Sequence, residues 1–362
     1  MRPAARGLIG FWAVVLLFAG LTALVLQWLG PLKPAPVRSG AAPVRTGGAT
    51  RAGAVEPPGS VRATAAPVPA PRTGIAAPDA ALLEPAPDFP GRMLPRIAAD
   101  GRTPSRFYAS PAGLPAHGPQ VAILLEGLGL SDAISHDAVD TLPPAISLGI
   151  SPYAESLDHP GPDLLLEQAR RVGHETWLCL PMEPAGSPLD DEGPQALSLS
   201  IDFDKDRRAL EWALSRMQGY VGVTNALSGL RGDRFAGSSA FSMVTQSLTA
   251  RGLLYLDAGI APHEALVPMP AGLARHADLT LDTDPDAPDI EARLARLEQI
   301  ATAQGSALGV AGPLRPVTIE RLRAWSRGLA SRGIALVPVS ALPPPHPLAP
   351  PPPVPSPVAS AP

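Results

Sequence analysis

The chain has one cysteine among 362 residues, Cys179, so no intrachain disulfide holds it together. Aromatic residues are 4% of the total. Trp177, Trp212 and Trp325 read as core or helix-packing residues rather than as a platform for stacking sugars. The stretch Glu126-Gly127-Leu128-Gly129-Leu130-Ser131 has neither a third glycine nor a P-loop lysine, which excludes a glycine-rich nucleotide loop. Basic residues are scarce where a fold is expected. Residues 31–118 hold ten Lys/Arg against five Asp/Glu, so with a formal charge of −4 the rest of the chain is acidic. That balance argues against nucleic acid as a partner.

Proline is present in excess, 47 residues in all. Seventeen fall between Pro31 and Gly118, and eleven between Pro343 and Pro362. Segments of that composition bury too little apolar surface to offset chain entropy. Residues 30–118 are therefore predicted to be a disordered Pro/Ala-rich linker, and 343–362 a disordered Pro-rich tail. Ahead of them, Leu8 to Leu29 is an uncharged apolar run of 22 residues. At about 1.5 Å per residue it spans a bilayer core as a helix. Trp12 and Trp28 sit toward its ends as interfacial anchors do. No small-residue cleavage site follows at Trp28-Leu29-Gly30-Pro31, so an uncleaved transmembrane helix is predicted for 8–29. Charge alone does not orient it: Arg2 and Arg6 on one side nearly balance Lys33, Arg38 and Arg45 on the other.

Residues 119–342 are long enough for one α/β domain. Short apolar runs at 121–125, 145–150, 175–180, 221–225, 253–257, 277–281, 307–311 and 334–339 are candidate strands. Helical segments lie between them, near 131–140, 157–172, 204–218, 238–251, 288–304 and 316–332. Five of these end on glycines that suit a left-handed cap: Gly173, Gly219, Gly252, Gly305 and Gly333. Alternating strands and helices imply a parallel sheet with right-handed crossovers. Seven or eight units in this length predict a distorted (β/α)7–8 barrel.

In such folds the residues just past the strand ends form the binding rim. Here these are Glu126, Cys179, Met182, Glu183, Thr224, Asn225, Asp257, Asp282 and the Ala311-Gly312-Pro313 turn. Glu126 reads as a general base, a polar pocket wall, or a charge paired with Arg231 or Arg234. Cys179 reads as a small buried hydrophobe, since no histidine is placed to activate it. Asp257 reads equally as a pocket residue or a turn cap, Asn225 as a ligand donor or a loop brace, and Glu183 as a brace between prolines. Asp282, Asp284, Asp286 and Asp289 have a calcium-loop flavour, but Pro285, Pro288 and a missing terminal glutamate favour a solvated acidic loop. None of the seven histidines stands at the end of a predicted core strand. His263 alone follows one closely, and no metal ligand set is predicted.

The succession Leu-Glu-Gly-Leu-Gly at 125–129, Gly173-His174-Glu175 leading to Cys-Leu-Pro-Met-Glu-Pro at 179–184, Val221-Gly222-Val223-Thr224-Asn225, Leu256-Asp257 and Leu336-Val337-Pro338-Val339-Ser340 resembles the divergent polysaccharide deacetylase family. The resemblance covers about Val121 to Leu342. It implies a carbohydrate-esterase-type barrel, exported and membrane-tethered in bacteria, which places the domain in the periplasm. It also implies metal-assisted removal of acetyl groups. Four positions depart from that machinery. Glu126-Gly127 stands for Asp-Asp, Cys179 for a histidine, Ala226 for the histidine of Asn-His-Met-Gly-Ser, and Ala311-Gly312-Pro313 for a Gly-His-Pro turn.

Glu183, Asn225 and Asp257 are retained. The expectation is a catalytically degenerate barrel without a metal cofactor, binding an envelope polysaccharide or peptidoglycan-like glycan through Glu126, Asn225, Asp257 and Glu183. One alternative is an active zinc-type deacetylase with a rearranged site, using Glu126 as base and Asp257 with His263 or Cys179 as ligands. Another is an interaction module working through its Pro-rich segments.

Overall fold

The fold begins earlier than the proline content predicts. A computed structural model describes residues 74–112, 118–158, 163–199, 202–259 and 273–343, and residues 74–112 are folded onto the domain rather than left as linker. Strands β1 (Leu83–Pro85) and β2 (Met93–Pro95) form an antiparallel pair, followed by helix α1 (Pro104–Phe107). Prolines are tolerated because they stand at strand ends and at the first helical turn, where a missing N–H costs little. Between them, Leu82, Leu94 and Tyr108 are 0%, 2% and 2% exposed. Arg251 pairs with Glu84 at 2.6 Å and Arg102 with Asp79 at 2.7 Å. The predicted transmembrane helix, the first part of the linker and the tail lie outside the described residues. Among those described, no helix is long and apolar enough to cross a membrane.

The alternation continues with β3 (Gln120–Leu128), α2 (Asp132–Thr141), β4 (Ser147–Ile150), α3 (Leu164–Val172), β5 (Thr176–Cys179) and α4 (Phe203–Leu214). Next come β6 (Gly222–Thr224), β7 (Ala226–Leu227), β8 (Leu230–Arg231), α5 (Asp233–Ala236), α6 (Ser242–Arg251) and β9 (Leu254–Asp257). The series ends with β10 (Ala274–His276), β11 (Leu279–Thr280), α7 (Ala287–Gln304), β12 (Ser306–Ala311), α8 (Pro316–Leu329) and β13 (Ala335–Leu336). Four of the five glycines expected to end helices do so with positive φ, from 66° at Gly252 to 104° at Gly173, whereas Gly219, also positive, lies beyond the Ser215 cap of α4. Asp163 and Asp202 cap α3 and α4 by accepting from Leu166 N at 2.9 Å and Lys205 N at 3.1 Å.

The main sheet is parallel in the order β10-β9-β6-β5-β4-β3-β12-β11, with β13 on the first residues of β3. This is an α/β fold around a curled half-barrel, not an ideal closed cylinder. Its two outer strands, β10 and β11, do not pair with each other. The chain passes from one to the other through Ala277 and Asp278 alone; the strand predicted at 277–281 shortens to β11, and β10 precedes it as a strand the sequence pattern does not predict. The strand predicted at 334–339 shrinks to two residues because Val339–Ala341 turns into a 3₁₀ helix.

Strand alternation sorts the core. Val121, Ile123 and Leu125 of β3 join the cluster under the helices, while Ala122 and Leu124 face inward with Trp177, Leu254, Leu256, Leu308 and Val310. Gly222 is required beside the indole, since a Cβ there would lie 2.5 Å from Trp177 Cζ3.

At the foot of the strands Glu175 is a buried hub. It accepts from Ser147 Oγ at 2.7 Å, Trp177 Nε1 at 3.1 Å and Ser340 N at 3.0 Å. Beside it the His174 ring contacts Ile146 O at 2.8 Å, and burial pushes the imidazole down, so it stays neutral.

Candidate functional site

The inward row of β3 ends in Glu126, which is 0% exposed. Its cover is the β7–β8 hairpin, whose two-residue tip, Ser228-Gly229, has φ of +53° and +86°. Two consecutive positive φ values give the turn that matches strand twist, and they aim both tip amides at the carboxylate. Gly229 N donates to Oε1 at 2.7 Å, Ser228 N donates to Oε2, and Arg231 Nη1 lies 3.4 Å from Oε1. Arg231 is therefore the partner, whereas Arg234 pairs with Glu183 at 2.8 Å. On the other side Gly312 leaves the room that Glu126 occupies, because a Cβ there would fall 2.0 Å from Oε1. Burial pushes the Glu126 carboxyl up, against the pull of Arg231 and the two tip amides. Both oxygens accept from N–H groups, so the ionised form fits this setting.

The other rim residues are similarly engaged. Cys179 is fully buried, and burial with Glu126 nearby holds its thiol far above the usual range, so it is neither thiolate nor nucleophile. Asp257 Oδ1 accepts from Asn225 Nδ2 at 3.0 Å and from Gly259 N at 3.0 Å, and Asn225 Oδ1 accepts from Ala258 N at 2.8 Å. Asp257 and Asn225 thus brace each other and the start of a loop, both at 0% exposure. Glu183 accepts from Leu199 N at 2.7 Å as a loop brace. Asp282 turns inward to accept from Gly312 N at 2.8 Å and Thr318 Oγ1 at 3.0 Å, while Asp289 pairs with Arg293 at 2.6 Å. The four aspartates do not converge as a calcium loop would.

A metal implied by the resemblance does not fit these donors. Glu126 is capped, Cys179 is a neutral thiol, and His263 lies outside the described residues. Among those described, no group of three or more His, Cys, Asp or Glu side chains is placed to hold an ion. No step through a metal is derived.

Two residues escaped sequence reasoning. His276 ends β10, one residue before the strand predicted at 277–281, and its Nδ1 is 3.4 Å from Asp257 Oδ2. A histidine therefore does stand at a core strand end, contrary to expectation. Glu192 sits in an Asp-Glu-Gly-Pro stretch that reads as loop, yet it is 4% exposed. Its Oε2 accepts from Met182 N at 2.8 Å, and its Oε1 has no partner among the described residues. The only sequence signal was its position ten residues past the Met-Glu-Pro turn. Glu192 lines a pocket of about 260 Å³ with Leu130, Ser151, Tyr153, Ser228 and Leu230.

An uncharacterized protein, ATU2773, from Agrobacterium tumefaciens C58 is 34% identical, with 69% of this chain and 99% of that one covered at a TM-score of 0.61. A putative cellobiose-phosphate cleavage protein from Enterococcus faecalis V583 is 13% identical over 61% of this chain and 98% of its own, at a TM-score of 0.41. The catalytic domain of a peptidoglycan N-acetylglucosamine deacetylase from Eubacterium rectale ATCC 33656 is 10% identical over 64% and 94%, also at 0.41. No curated protein matches the chain. The sequence profile of the divergent polysaccharide deacetylases matches residues 123–343, from within β3 to the end of the described fold, and the chain belongs to that family.

Proposed function

We propose that this protein is a catalytically degenerate member of its family that holds an envelope polysaccharide. In this reading residues 8–29 tether it to the bacterial inner membrane, and the folded domain works in the periplasm. The observation that carries the reading is the sealed Glu126. A general base must reach the proton it abstracts, and here both carboxylate oxygens are taken up by the hairpin tip. The family description supports a polysaccharide as ligand, and the uncharged run at 8–29 supports the tether.

The test uses the full-length protein, incubated with peptidoglycan sacculi and separately assayed for acetate release with and without added zinc. Retention on sacculi with no acetate above the blank is the expected result. Zinc-dependent turnover overturns it. One observation favours a second reading, an active deacetylase with a rearranged site: His276 Nδ1 lies 3.4 Å from Asp257 Oδ2 at adjacent strand ends. That reading requires acetate release that disappears in His276→Ala.

A further inference from the structure

On the outer layer of the fold, where α3 meets the turn after α4, a cavity of about 250 Å³ collects polar side chains that the fold itself does not use. We propose that this cavity binds an α-amino acid group in its zwitterionic form, with the carboxylate on Arg170 and the ammonium on Glu167. The site stands apart from the strand-end rim, and it does not depend on the envelope reading above.

Its walls hold two kinds of polar group. Arg216 is fully engaged: Nε donates to Pro152 O at 2.7 Å, Nη1 to Asp158 Oδ1 at 2.5 Å and Nη2 to Ala154 O at 3.4 Å. Asp163 is engaged as well, accepting from Leu166 N at 2.9 Å and from Ser156 Oγ at 2.7 Å. Arg170, Glu167 and Gln218 line the same space, and none of their side chains makes a hydrogen bond or ion pair among the described residues. These groups are within reach of a ligand. Glu167 is exposed, and no side-chain nitrogen or oxygen of Arg170 or Gln218 is sealed from solvent.

Arg170 carries the strongest demand for a partner. It is half-buried, and a Cβ added at Gly219 would lie 3.5 Å from its Nη1. Burial pulls the guanidinium down, and Glu167, Asp163 and Tyr108 offset only part of that. A partly desolvated cation without a hydrogen-bonded counter-charge is costly. A carboxylate matches the guanidinium fork with two parallel hydrogen bonds.

The other walls select a zwitterion. Glu167 and Arg170 stand one turn apart on α3, where opposite charges commonly meet, yet no ion pair joins them. A simple anion entering the cavity would face Glu167 and Asp163, and a simple cation would face Arg170 and Arg216. A group with both charges on one carbon satisfies Arg170 and Glu167 together, and Gln218 adds a donor and an acceptor. Pro78, Leu157, Leu166 and Met217 give an apolar wall for the side chain. The volume is below that of pockets enclosing a drug-sized ligand, which suits a single residue.

The experiment compares racemic norleucine with N-acetylnorleucine and norleucine amide, which share its side chain but keep only the negative or only the positive charge. Each is titrated into the full-length protein carrying methyl-labelled methionine. The signal followed is Met217, identified by its loss in Met217→Leu. Norleucine should shift it saturably, and both derivatives should bind at least about tenfold more weakly. Arg170→Gln should weaken norleucine at least about tenfold and leave norleucine amide unchanged. Glu167→Gln should weaken norleucine and leave N-acetylnorleucine unchanged.

A free amino acid and an α-amino acid group carried on a larger molecule share this chemistry. Nε-acetyl-lysine, with its stem capped by an amide, should match norleucine in the second case and bind far more weakly in the first. Glu167 is exposed, so Glu167→Gln carries the test if Arg170→Gln does not fold. Either derivative binding as tightly as norleucine, or unchanged norleucine affinity in Glu167→Gln, overturns the proposal. Absence of a saturable shift overturns it too.

Discussion

Replacing Glu126 by Gln removes one charge and exchanges an acceptor oxygen for a donor NH₂ at nearly constant volume. In the native site the two carboxylate oxygens accept from the amides of Ser228 and Gly229, and Oε1 also faces Arg231. The Gln oxygen can satisfy one of those amides, and its NH₂ then meets the other donor to donor. Losing one hydrogen bond to a charged group costs roughly 1.5–3 kcal/mol, and stranding a buried N–H adds about 1–3 kcal/mol. A two-residue tip can shift by tenths of an ångström and recover part of that, so the net loss is expected near 3 kcal/mol. For a domain of more than 200 residues this corresponds to a fall of about 6–12 °C in Tm. Thermal and urea unfolding of the full-length wild type and Glu126→Gln measure it. A base kept for chemistry behaves in the opposite way, because active-site charges are commonly held at the expense of stability. If Glu126→Gln melts at or above the wild type, the capped-carboxylate argument is wrong.

Glu192→Gln should stabilise the protein by an amount that grows with pH. The folded-state carboxyl is pushed up to about 9 from 4.5, so its protonated form contributes fully below about 4.5 and that contribution drains away as pH rises to about 9. Gln has no such loss, and urea unfolding of the two proteins across the window should diverge by a few kcal/mol at most; parallel curves would exclude the shift. Cys179, buried and neutral, should not react with a thiol reagent in the native protein and should titrate as one thiol on unfolding. Rapid native labelling would show that the site opens. Gly222→Ala would place a Cβ 2.5 Å from the Trp177 ring and 2.7 Å from Leu254 O. It should cost at least about 1–3 kcal/mol and perturb tryptophan fluorescence, and an unchanged Tm would mean that the interior is looser than described.

Legibility followed burial. The β3 run from Val121 to Leu125 announces itself because a strand covered on both faces is apolar throughout, and the helix-ending glycines mark the rhythm around it. The segment holding Leu82, Leu94 and Tyr108 was hidden by proline content, since composition averages over a window while docking depends on a few large side chains. At the site, Glu126 was found but its state was not. The cap depends on Ser228 adopting a positive φ, which serine rarely does, and on a long-range approach of the hairpin to β3 and the 312 turn. His276 was missed because β10, the three-residue strand it ends, carries no apolar run of its own. Glu192 was lost because nothing periodic distinguishes a loop acid that turns inward from one that stays in solvent.

The foot of the sheet receives the chain at both ends of the described fold. Ile75 N bonds Arg170 O at 2.8 Å, close to the end of α3, and Val339 N bonds Ser147 Oγ at 3.0 Å, at the start of β4. The hairpin tip and its pocket lie past the opposite ends of the strands. Both ends of the described chain therefore lie at the pole opposite the hairpin tip. A pull applied at either end of the described chain loads the Glu175 network before it reaches the Ser228 tip.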